Sequence, residues 1–297
     1  DMTDLPLEVD FHFFNPKAGL TYQNRGHLLS ASFAIANREP SRNNYKENVV
    51  YYATTGKYAG LPHAERLYDY ELGYTYSHPR FAVGANLYLM DYDNQLVLTG
   101  EYNDVGAYKT KNVKDSYRMG AEITAGVKIT DWLRWDANLV ASRNKILNYH
   151  QYIDLYDDQD NWNWIEQDSV VGTTTIAFSP TLTASSLFTF DIAGFTATVQ
   201  TNVVSKQYLD NTEDENAMLR AYSTTNLNLQ YSLPMQQWCK KDSAPAIRLL
   251  CQINNIFNAK YANNGGAEAS RFMDGSRCCW YYAQAGINVH AGFSITF

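Results

Sequence analysis

The sequence lacks any apolar run of about 18 residues, the length that a helix needs to cross a bilayer. Its mean hydropathy is −0.40, so a protein held in an inner membrane by apolar helices is excluded. The sequence also lacks a basic excess, since its formal net charge at pH 7 is −7. Binding to nucleic acid needs a basic face, and we therefore predict no nucleic-acid partner.

Motifs that carry catalytic chemistry are also absent. The sequence has no phosphate-binding glycine loop, no zinc signature and no serine-centred elbow. Carboxylates such as Glu122 and Asp136 have no nucleophile or metal partner at a recognisable spacing. We therefore predict that the protein is not an enzyme and needs no cofactor.

Cysteines are few, and none has CxxC spacing or a histidine at zinc-site spacing. The four are Cys239, Cys251, Cys278 and Cys279. The adjacent pair, Cys278 and Cys279, could form a disulfide or remain free. The spacing predicts no metal site.

The pattern that is present is strict alternation, and it is clearest at the end of the chain. From Tyr281 to Phe297 every odd position is apolar, and almost every even position is polar or small. A period of two predicts a β-strand with one apolar and one polar face. We expect one strand over 281–297, which exceeds the 5–6 residues typical of soluble strands and the roughly 9–11 that a tilted membrane strand needs.

The same alternation recurs along the whole chain and predicts an all-β protein. Eleven strands are expected, at about 11–22, 28–36, 67–77, 81–92, 115–129, 133–149, 170–190, 195–208, 220–233, 246–257 and 281–297. The abundance of tyrosine (23) and tryptophan (6) fits a membrane–water boundary, because these rings are apolar with one polar edge. A tyrosine-rich soluble β-sandwich is the alternative, but several strands are too long for it.

The connections between these strands alternate between short and long. The short ones are Gln23–His27, His78–Arg80, Thr130–Trp132, Asp191–Gly194 and the somewhat longer Pro234–Pro245. The long ones are Asn37–Arg66, Asp93–Lys114, His150–Asp168, Leu209–Leu219 and Asn258–Trp280. This pattern is typical of an antiparallel up-and-down transmembrane β-barrel with short periplasmic turns and long extracellular loops.

Eleven is an odd number, whereas bacterial single-chain barrels have even strand counts. Twice eleven gives about the strand number of the large plugged outer-membrane transporters. The chain starts at Asp1 in mid-pattern and shows no signal peptide, although an exported barrel must be made with one. We therefore expect a fragment or a processed product that holds half of a barrel.

Several segments resemble, in order and spacing, those of TonB-dependent receptors. They are Asn37–Ser41 with its Arg-x-Pro sequence, Leu61–Arg66, Asp69–Tyr74, Leu87–Tyr92 with Gln95-Leu96, Ser116–Glu122, and Asn254–Asn258 with Tyr261. Together they cover essentially the whole chain, and the aromatic last residue, Phe297, fits the same resemblance. One departure is Glu39, where the family often has alanine.

The resemblance implies that residues 1–297 form the carboxy-terminal part of a 22-stranded barrel in the outer membrane of a Gram-negative bacterium. An amino-terminal plug and the remaining barrel strands would complete it, and a TonB complex would drive it through the plug. The expected function is import of a scarce ligand, most simply a ferric siderophore. Haem or cobalamin uptake is an alternative, and a soluble carbohydrate-binding protein or an adhesin-type barrel would be a different class.

Candidate ligand-binding residues lie in two of the long connections. Charged, aromatic and imidazole side chains there could contact a ligand: Arg38, Glu39, Tyr45, His63, Tyr152, Trp162 and Trp164. Haem receptors of the family carry a ligand histidine in the interval that contains His63, and neutral imidazole is a good iron ligand. Arg38 and Glu39 could instead form a local ion pair at the loop base. The carboxylates of Asp157, Asp158 and Asp160 lack the regular calcium-loop pattern, so we expect a solvated acidic loop.

Overall fold

The computed structural model describes residues 8–52, 57–102, 108–239 and 245–296. The predicted terminal residue Phe297 lies outside them. Within these ranges, neither of the two helices is long and apolar enough to cross a membrane.

The described residues form strands with two short helices. In chain order the elements are β1 (Lys17–Asn24), β2 (His27–Arg38), α1 (Arg42–Asn48), β3 (Val50–Tyr52), β4 (Lys57–Ala59), β5 (Glu65–His78), β6 (Phe81–Tyr102), β7 (Tyr108–Lys128), β8 (Leu133–Tyr156), β9 (Trp164–Thr175), β10 (Leu182–Ile192), β11 (Phe195–Val204), β12 (Gln207–Tyr208), β13 (Met218–Leu219), β14 (Tyr222–Leu233), α2 (Met235–Cys239), β15 (Ala246–Asn254), β16 (Ala262–Ala267), β17 (Ser270–Phe272), β18 (Cys279–Ala283) and β19 (Asn288–Thr296).

One antiparallel sheet dominates the molecule. Its strands follow the order β1-β2-β5-β6-β7-β8-β10-β11-β14-β15-β19, so the path has eleven strands that run in sequence order. This confirms the predicted up-and-down topology. A soluble sandwich would need two sheets packed face to face, and the single continuous sheet excludes it. We call this sheet the wall; its two edges are β1 and β19.

The two faces of the wall differ as the alternation predicts. One row of directly paired residues is wholly apolar: Leu72, Leu87, Ala121, Ala141 and Leu182. Leu72 and Leu87 are about half exposed, so this face would suit lipid rather than water. We call it the apolar face.

The opposite, polar face carries small and hydrogen-bonding side chains. A row there runs from Glu71 through Tyr88 and Gly120 to Ser142. The absence of a side chain at Gly120 leaves room for the Tyr88 ring, because a Cβ at position 120 would lie 2.6 Å from the Tyr88 hydroxyl oxygen. The polar face is therefore packed locally as well as wet.

The short turns appear as predicted at one end of the wall. Arg25 and Gly26 join β1 to β2, and Ala193 and Gly194 join β10 to β11, all four with positive φ between 45° and 87°. Two successive positive φ values define the type I′ turn that matches strand twist. The longer fifth connection contains α2.

The predicted strand over 170–190 is wrong, because the structure divides it. β9 ends at Thr175 and β10 starts at Leu182. Between them Pro180 has no N–H to donate to a ladder, and Phe178 has a φ of 52°. Both strands pair with β8, so β10 belongs to the wall and β9 continues beside β8 beyond it.

The prediction of one unbroken strand over 281–297 is also wrong. β18 pairs with β16 in a separate two-stranded sheet, and only β19 pairs with the wall strand β15. Between them the Ile287 N–H donates to Asn258 Oδ1 at 3.2 Å, and a Cβ on Gly286 would lie 2.5 Å from that oxygen. The side chain of Asn258 thus diverts backbone that the alternation alone would extend.

Two further boundaries differ from the prediction. The first strand begins at Lys17 rather than near residue 11, since Phe11 and Phe13 precede Pro16 in irregular structure. The connections predicted over 93–114 and 150–168 are largely strand, because β6, β7, β8 and β9 extend beyond the ends of the other strands of the wall. The long-connection end is therefore built from raised hairpins.

Candidate functional site

The raised hairpins share a small apolar core at the long-connection end. Its buried members come from β6, β7, β8 and the segment after β9: Val97, Val113, Ile146, Tyr149 and Ile176. Burial of such side chains stabilises by about 1.5–3 kcal/mol each. The hairpins therefore pack against one another through this core and form an ordered surface.

A kink in β8 sets which side chains face this core. Asn148 has a φ of 51°, and the β8–β9 register shifts between Ile146 and Tyr149. Asparagine tolerates this left-handed conformation better than most residues. As a result Ile146 and Tyr149 are both buried although they are three residues apart.

The connecting segment 209–217, which we call the keystone segment, binds three other parts of this end. Asn211 Nδ2 donates to the Leu98 carbonyl of β6 at 2.7 Å, and the Ala177 N–H donates to Asn211 Oδ1 at 2.8 Å. Asn211 is fully buried. One amide side chain thus joins two segments that lie 34 and 113 residues before it in the sequence.

Glu213 in the keystone segment binds β8 and β9. Its carboxylate lies 2.9 Å from Lys145 Nζ and accepts from the Thr175 hydroxyl at 2.9 Å. Burial alone would raise the pKa of Glu213, but the hydrogen bonds and charge of Lys145 and Thr175 outweigh it, and the pKa is lowered. The carboxylate is therefore held in its charged form.

A buried ion network fixes the other side of the keystone segment. The Arg277 side chain is 0% exposed and lies 2.8 Å from Asp210 Oδ2 and 3.7 Å from Asp214 Oδ2. Arg277 also donates to the Thr212 hydroxyl at 3.1 Å and to the Ser270 carbonyl at 3.1 Å. Buried charges are costly unless they are paired and hydrogen-bonded. Arg277 meets both conditions, whereas Asp210 Oδ2 is ion-paired with Arg277 but accepts no hydrogen bond of good geometry.

Below these loops, the polar face of β6, β7 and β8 forms a concavity of about 370 Å³. Arg118 projects into it and donates to Ser179 Oγ at 2.9 Å. Glu71, Tyr88 and Glu122 also line it.

The seven predicted site residues fall into two groups. Arg38, Glu39, Tyr45 and His63 belong to the connection between β2 and β5, and the other three belong to the β8–β9 hairpin. Arg38 Nη2 lies 3.0 Å from Glu65 Oε2, so its ion pair is with Glu65 and not with the exposed Glu39. Glu65 also accepts from the Leu96 N–H at 2.9 Å, which ties the loop base to β6.

Tyr45 lies on α1, which begins at the capping residue Ser41. Its ring is half-buried, and burial, followed by the negative charge of Glu39, raises the pKa of the Tyr45 phenol. The hydroxyl therefore stays protonated and able to donate. This placement keeps Tyr45 and Glu39 as predicted ligand contacts.

His63 is exposed, and its main chain is what the fold holds. The His63 N–H donates to Asn112 Oδ1 at 2.8 Å, and Asn112 Nδ2 donates to the His63 carbonyl at 3.0 Å. Asn112 also donates to the Asn94 carbonyl at 2.6 Å. A histidine side chain is not needed for these bonds.

We expect Asn112→Ala to destabilise the connection around His63 by about 1–3 kcal/mol, because three main-chain groups lose their hydrogen-bond partner. His63→Ala should leave that stability unchanged, because the main-chain partners remain. Hydrogen exchange of residues 60–65 would measure both effects. Growth with His63→Ala on haem as sole iron source distinguishes a ligand role of His63 from a structural one. Slower exchange of residues 60–65 in Asn112→Ala would contradict the role given to Asn112.

Tyr152, Trp162 and Trp164 form the second group. Trp162 packs against Phe272 and Tyr156, with ring centroids 4.9 Å and 5.3 Å away. Tyr152 is 60% exposed, and Trp164 Nε1 donates to Asp154 Oδ1 at 3.4 Å. Trp162 is thus partly structural, while Tyr152 and Trp164 present aromatic surface to solvent.

The acidic tip of this hairpin is ordered by its own main chain. Asp157 Oδ1 accepts from the Asp158 and Asn163 N–H groups, and Asp158 Oδ1 accepts from those of Asp160 and Asn161.

No cluster of three potential metal ligands occurs within the described ranges. Cys251, Cys278 and Cys279, the cysteines whose side chains are described, are unpaired.

Sequence reasoning missed the keystone segment and Arg277. Nothing in a local period marks them, because several of their partners are distant in sequence, 65 residues in Arg277–Thr212 and 113 in Asn211–Leu98. The only local hint is a run of carboxylates and amides at 210–216 within a connection. Such a run more often marks a solvated loop than a buried one.

Comparison with known proteins gives the same fold. The family described as TonB dependent receptor-like, beta-barrel matches residues 4–256, and the chain therefore belongs to that family. A comparison with curated proteins found no match.

Solved structures resemble the chain closely in fold. The copper transporter OprC has a TM-score of 0.61 at 16% identity, over 95% of this chain and 39% of its own. The ferric-catecholate import receptor Fiu from Escherichia coli K12 has 0.58 at 15%, over 94% and 34%. A ferric enterobactin receptor (PfeA) variant from Pseudomonas aeruginosa, in complex with enterobactin, has 0.58 at 18%, over 95% and 40%. The chain thus spans well under half of these structures.

Proposed function

We propose that this chain is the carboxy-terminal half of the barrel of a TonB-dependent outer-membrane receptor that imports a ferric siderophore. The observation that carries the proposal is the open eleven-stranded wall, with an apolar face on one side and a polar concavity on the other. Family membership supports it. Fiu and PfeA support the ligand class, since their names specify ferric-catecholate and ferric enterobactin.

The remaining half of the barrel would pair with β1 and β19. Each of these strands has one wall neighbour, so each leaves a row of main-chain groups at an edge. Unpaired main chain is costly in a bilayer, and a spanning sheet must close on itself. A further eleven strands would give the 22 of the large plugged transporters.

The ligand would enter from the long-connection end. The exposed side chains of Glu39, His63, Tyr152 and Trp164 stand on hairpins whose bases the ion pairs and the small core hold in place. A plug would rest against the polar concavity around Arg118 until force from the TonB complex rearranged it. Rigid hairpin bases limit the entropy lost when a ligand binds.

Capture by these connections can be tested in the complete receptor. Replacing residues 39–64 and 152–164 with short Gly-Ser linkers should abolish binding of ferric siderophores, because the replacement removes six of the seven predicted contacts but retains the Arg38–Glu65 base. Binding would be measured by quenching of intrinsic fluorescence with a panel of ferric siderophores. A linker of the same kind in place of residues 235–244, at the other end of the wall, is the matched control. Unchanged affinity in the loop variant would contradict capture.

A further inference from the structure

A pocket of about 320 Å³ lies where the chain enters β14, away from the seven predicted site residues. Met218, Leu219, Arg220, Lys260, Tyr261 and Tyr281 line it. Its volume is at the lower end of the roughly 300–1,000 Å³ of ligand pockets. It therefore suits one ring or one headgroup rather than a whole large ligand.

The floor of the pocket is apolar and fixed. Leu219 is 1% exposed and packs in a buried cluster with Leu209, Ala217 and Ala267. The cluster includes both ends of the keystone segment, which the ion network around Arg277 holds. A preformed apolar floor binds a flat group without first having to become ordered.

The aromatic side of the pocket is also held in place. Tyr261 stacks on Tyr222, with ring centroids 4.4 Å apart and planes 25° apart. Tyr222 alternates along β14 with the apolar-face residues, so it stands at the end of the polar face. The pocket thus opens at the entrance above the polar wall, where an incoming ligand passes.

Two cations line the pocket without an acidic partner. In the part of the chain that the structure describes, no carboxylate lies within 4.0 Å of Arg220 or Lys260. Lys260 Nζ donates only to the neutral Asn258 Oδ1, at 3.0 Å. Four other cations at this end have a carboxylate partner, namely Lys145, Lys206, Arg271 and Arg277.

Tyr281, at the edge of the pocket, interacts electrostatically with Arg220. Burial raises the pKa of the Tyr281 phenol, the charge of Cys279 and a hydrogen bond with its thiol raise it further, and the positive charge of Arg220 acts in the opposite direction. Arg220 therefore acts electrostatically on a group that lines the pocket.

We propose that this pocket binds an anion that carries a flat apolar group. The anionic oxygens would accept hydrogen bonds from Arg220 and Lys260. The flat group would lie on Leu219, between Tyr261 and Tyr281. Charge-assisted hydrogen bonds are about twice as strong as neutral ones, so an anion would gain more from Arg220 and Lys260 than a neutral ligand would. A neutral ligand would leave both cations unused, and a cationic ligand would be repelled.

A soluble iron chelate with aromatic anionic ligands supplies this chemistry in full, whereas the phosphate-bearing headgroup of an outer-membrane lipid supplies the anion alone. In the first case the inference rests on the proposed function and narrows its substrate class. In the second case the pocket would serve the membrane rather than transport. The experiment below separates them.

The test uses the complete receptor in detergent, as wild type and as Arg220→Gln/Lys260→Gln. Arg25→Gln/Lys114→Gln, which makes the same charge change at exposed positions outside the pocket lining, is the matched control. The probes are the iron(III) complex of 2,3-dihydroxybenzoate, which is anionic and aromatic, and iron(III) acetohydroxamate, which is neutral and not aromatic. Mass spectrometry of the purified proteins measures the lipopolysaccharide that copurifies.

We expect the pocket variant to bind the anionic complex about ten- to a hundred-fold more weakly, with the control variant unchanged. Loss of copurifying lipopolysaccharide, with chelate binding retained, would support the site and assign it to lipid. Equal chelate and lipid binding in the wild type and the pocket variant would overturn the inference while leaving import intact. A wild type that binds neither probe and carries no lipid would contradict it too, and the loop replacement above then decides the proposed function separately.

Discussion

Arg277→Ala should unfold the long-connection end of the protein while the wall stays intact. The variant leaves the buried carboxylate of Asp210 without its cation, while Asp214 keeps Arg271 as its partner. Removing one partner of a buried ion pair costs about 3–5 kcal/mol. The expected result is fast hydrogen exchange throughout residues 209–217, which spreads to the end of β6 because Asn211 binds the Leu98 carbonyl.

Arg271→Ala is the matched comparison for this prediction. Arg271 pairs with the same residue, Asp214, at 3.1 Å, but its side chain is partly exposed. Solvent screens such a pair, so its loss should cost about 1 kcal/mol or less. Equal exchange rates in the two variants would show that burial of the Arg277 network does not stabilise these loops.

Asn255→Ala should destabilise the closing end of the wall by about 2–4 kcal/mol. Asn255 is 4% exposed, and its side chain accepts from the Ala259 N–H and donates to the Ala259 and Ala285 carbonyls. Its φ of 52° also disfavours alanine. The free energy of unfolding in detergent, measured with guanidinium, would report the loss.

Two companion variants separate the causes. Asn255→Gly removes the same hydrogen bonds but accepts the positive φ, so it should recover about 1 kcal/mol relative to alanine. Asn24→Ala, at an exposed strand end, should change stability by under about 0.5 kcal/mol. If Asn255→Ala behaved like Asn24→Ala, the side chain would not join the ends of β15 and β19.

The wall could be predicted from the sequence because its physics is local. Leu87 and its neighbours alternate along each strand, and one face of the sheet must be apolar wherever the other is polar. The two-residue turns carry their own signal in Gly26 and Gly194. Strand number, order and the ends of the wall therefore follow from residues that lie next to one another.

The breaks in the wall pattern could not be predicted in the same way. Alternation continues through Gly286, yet the strand stops there because Asn258, far back in the sequence, binds the Ile287 N–H. Pro180 was a visible signal, and it marks the break between β9 and β10. A period describes what a segment prefers, whereas these boundaries depend on what a distant side chain binds.

The candidate site shows the same division. Aromatic and charged residues in long connections identified Tyr152 and Trp164, which the structure leaves exposed, but not Arg220 or Lys260, which are isolated cations in sequence. The role of Arg38 changed for a related reason, since its partner Glu65 stands 27 residues away. Pockets and ion pairs between connections depend on distances that composition does not contain.

The order of strands in the wall also has a kinetic consequence. Each wall strand pairs with the next one along the path, so the wall can assemble hairpin by hairpin, with loop closures shorter than the separations at the other end. The contacts of the other end join residues 113 and 117 positions apart, as in Asn211–Leu98 and Gln159–Ser276. Contacts between distant residues form late in folding. Under the proposed function, the wall would therefore be in the membrane before the long-connection end could bind a ligand, and ligand binding would report the last step of assembly.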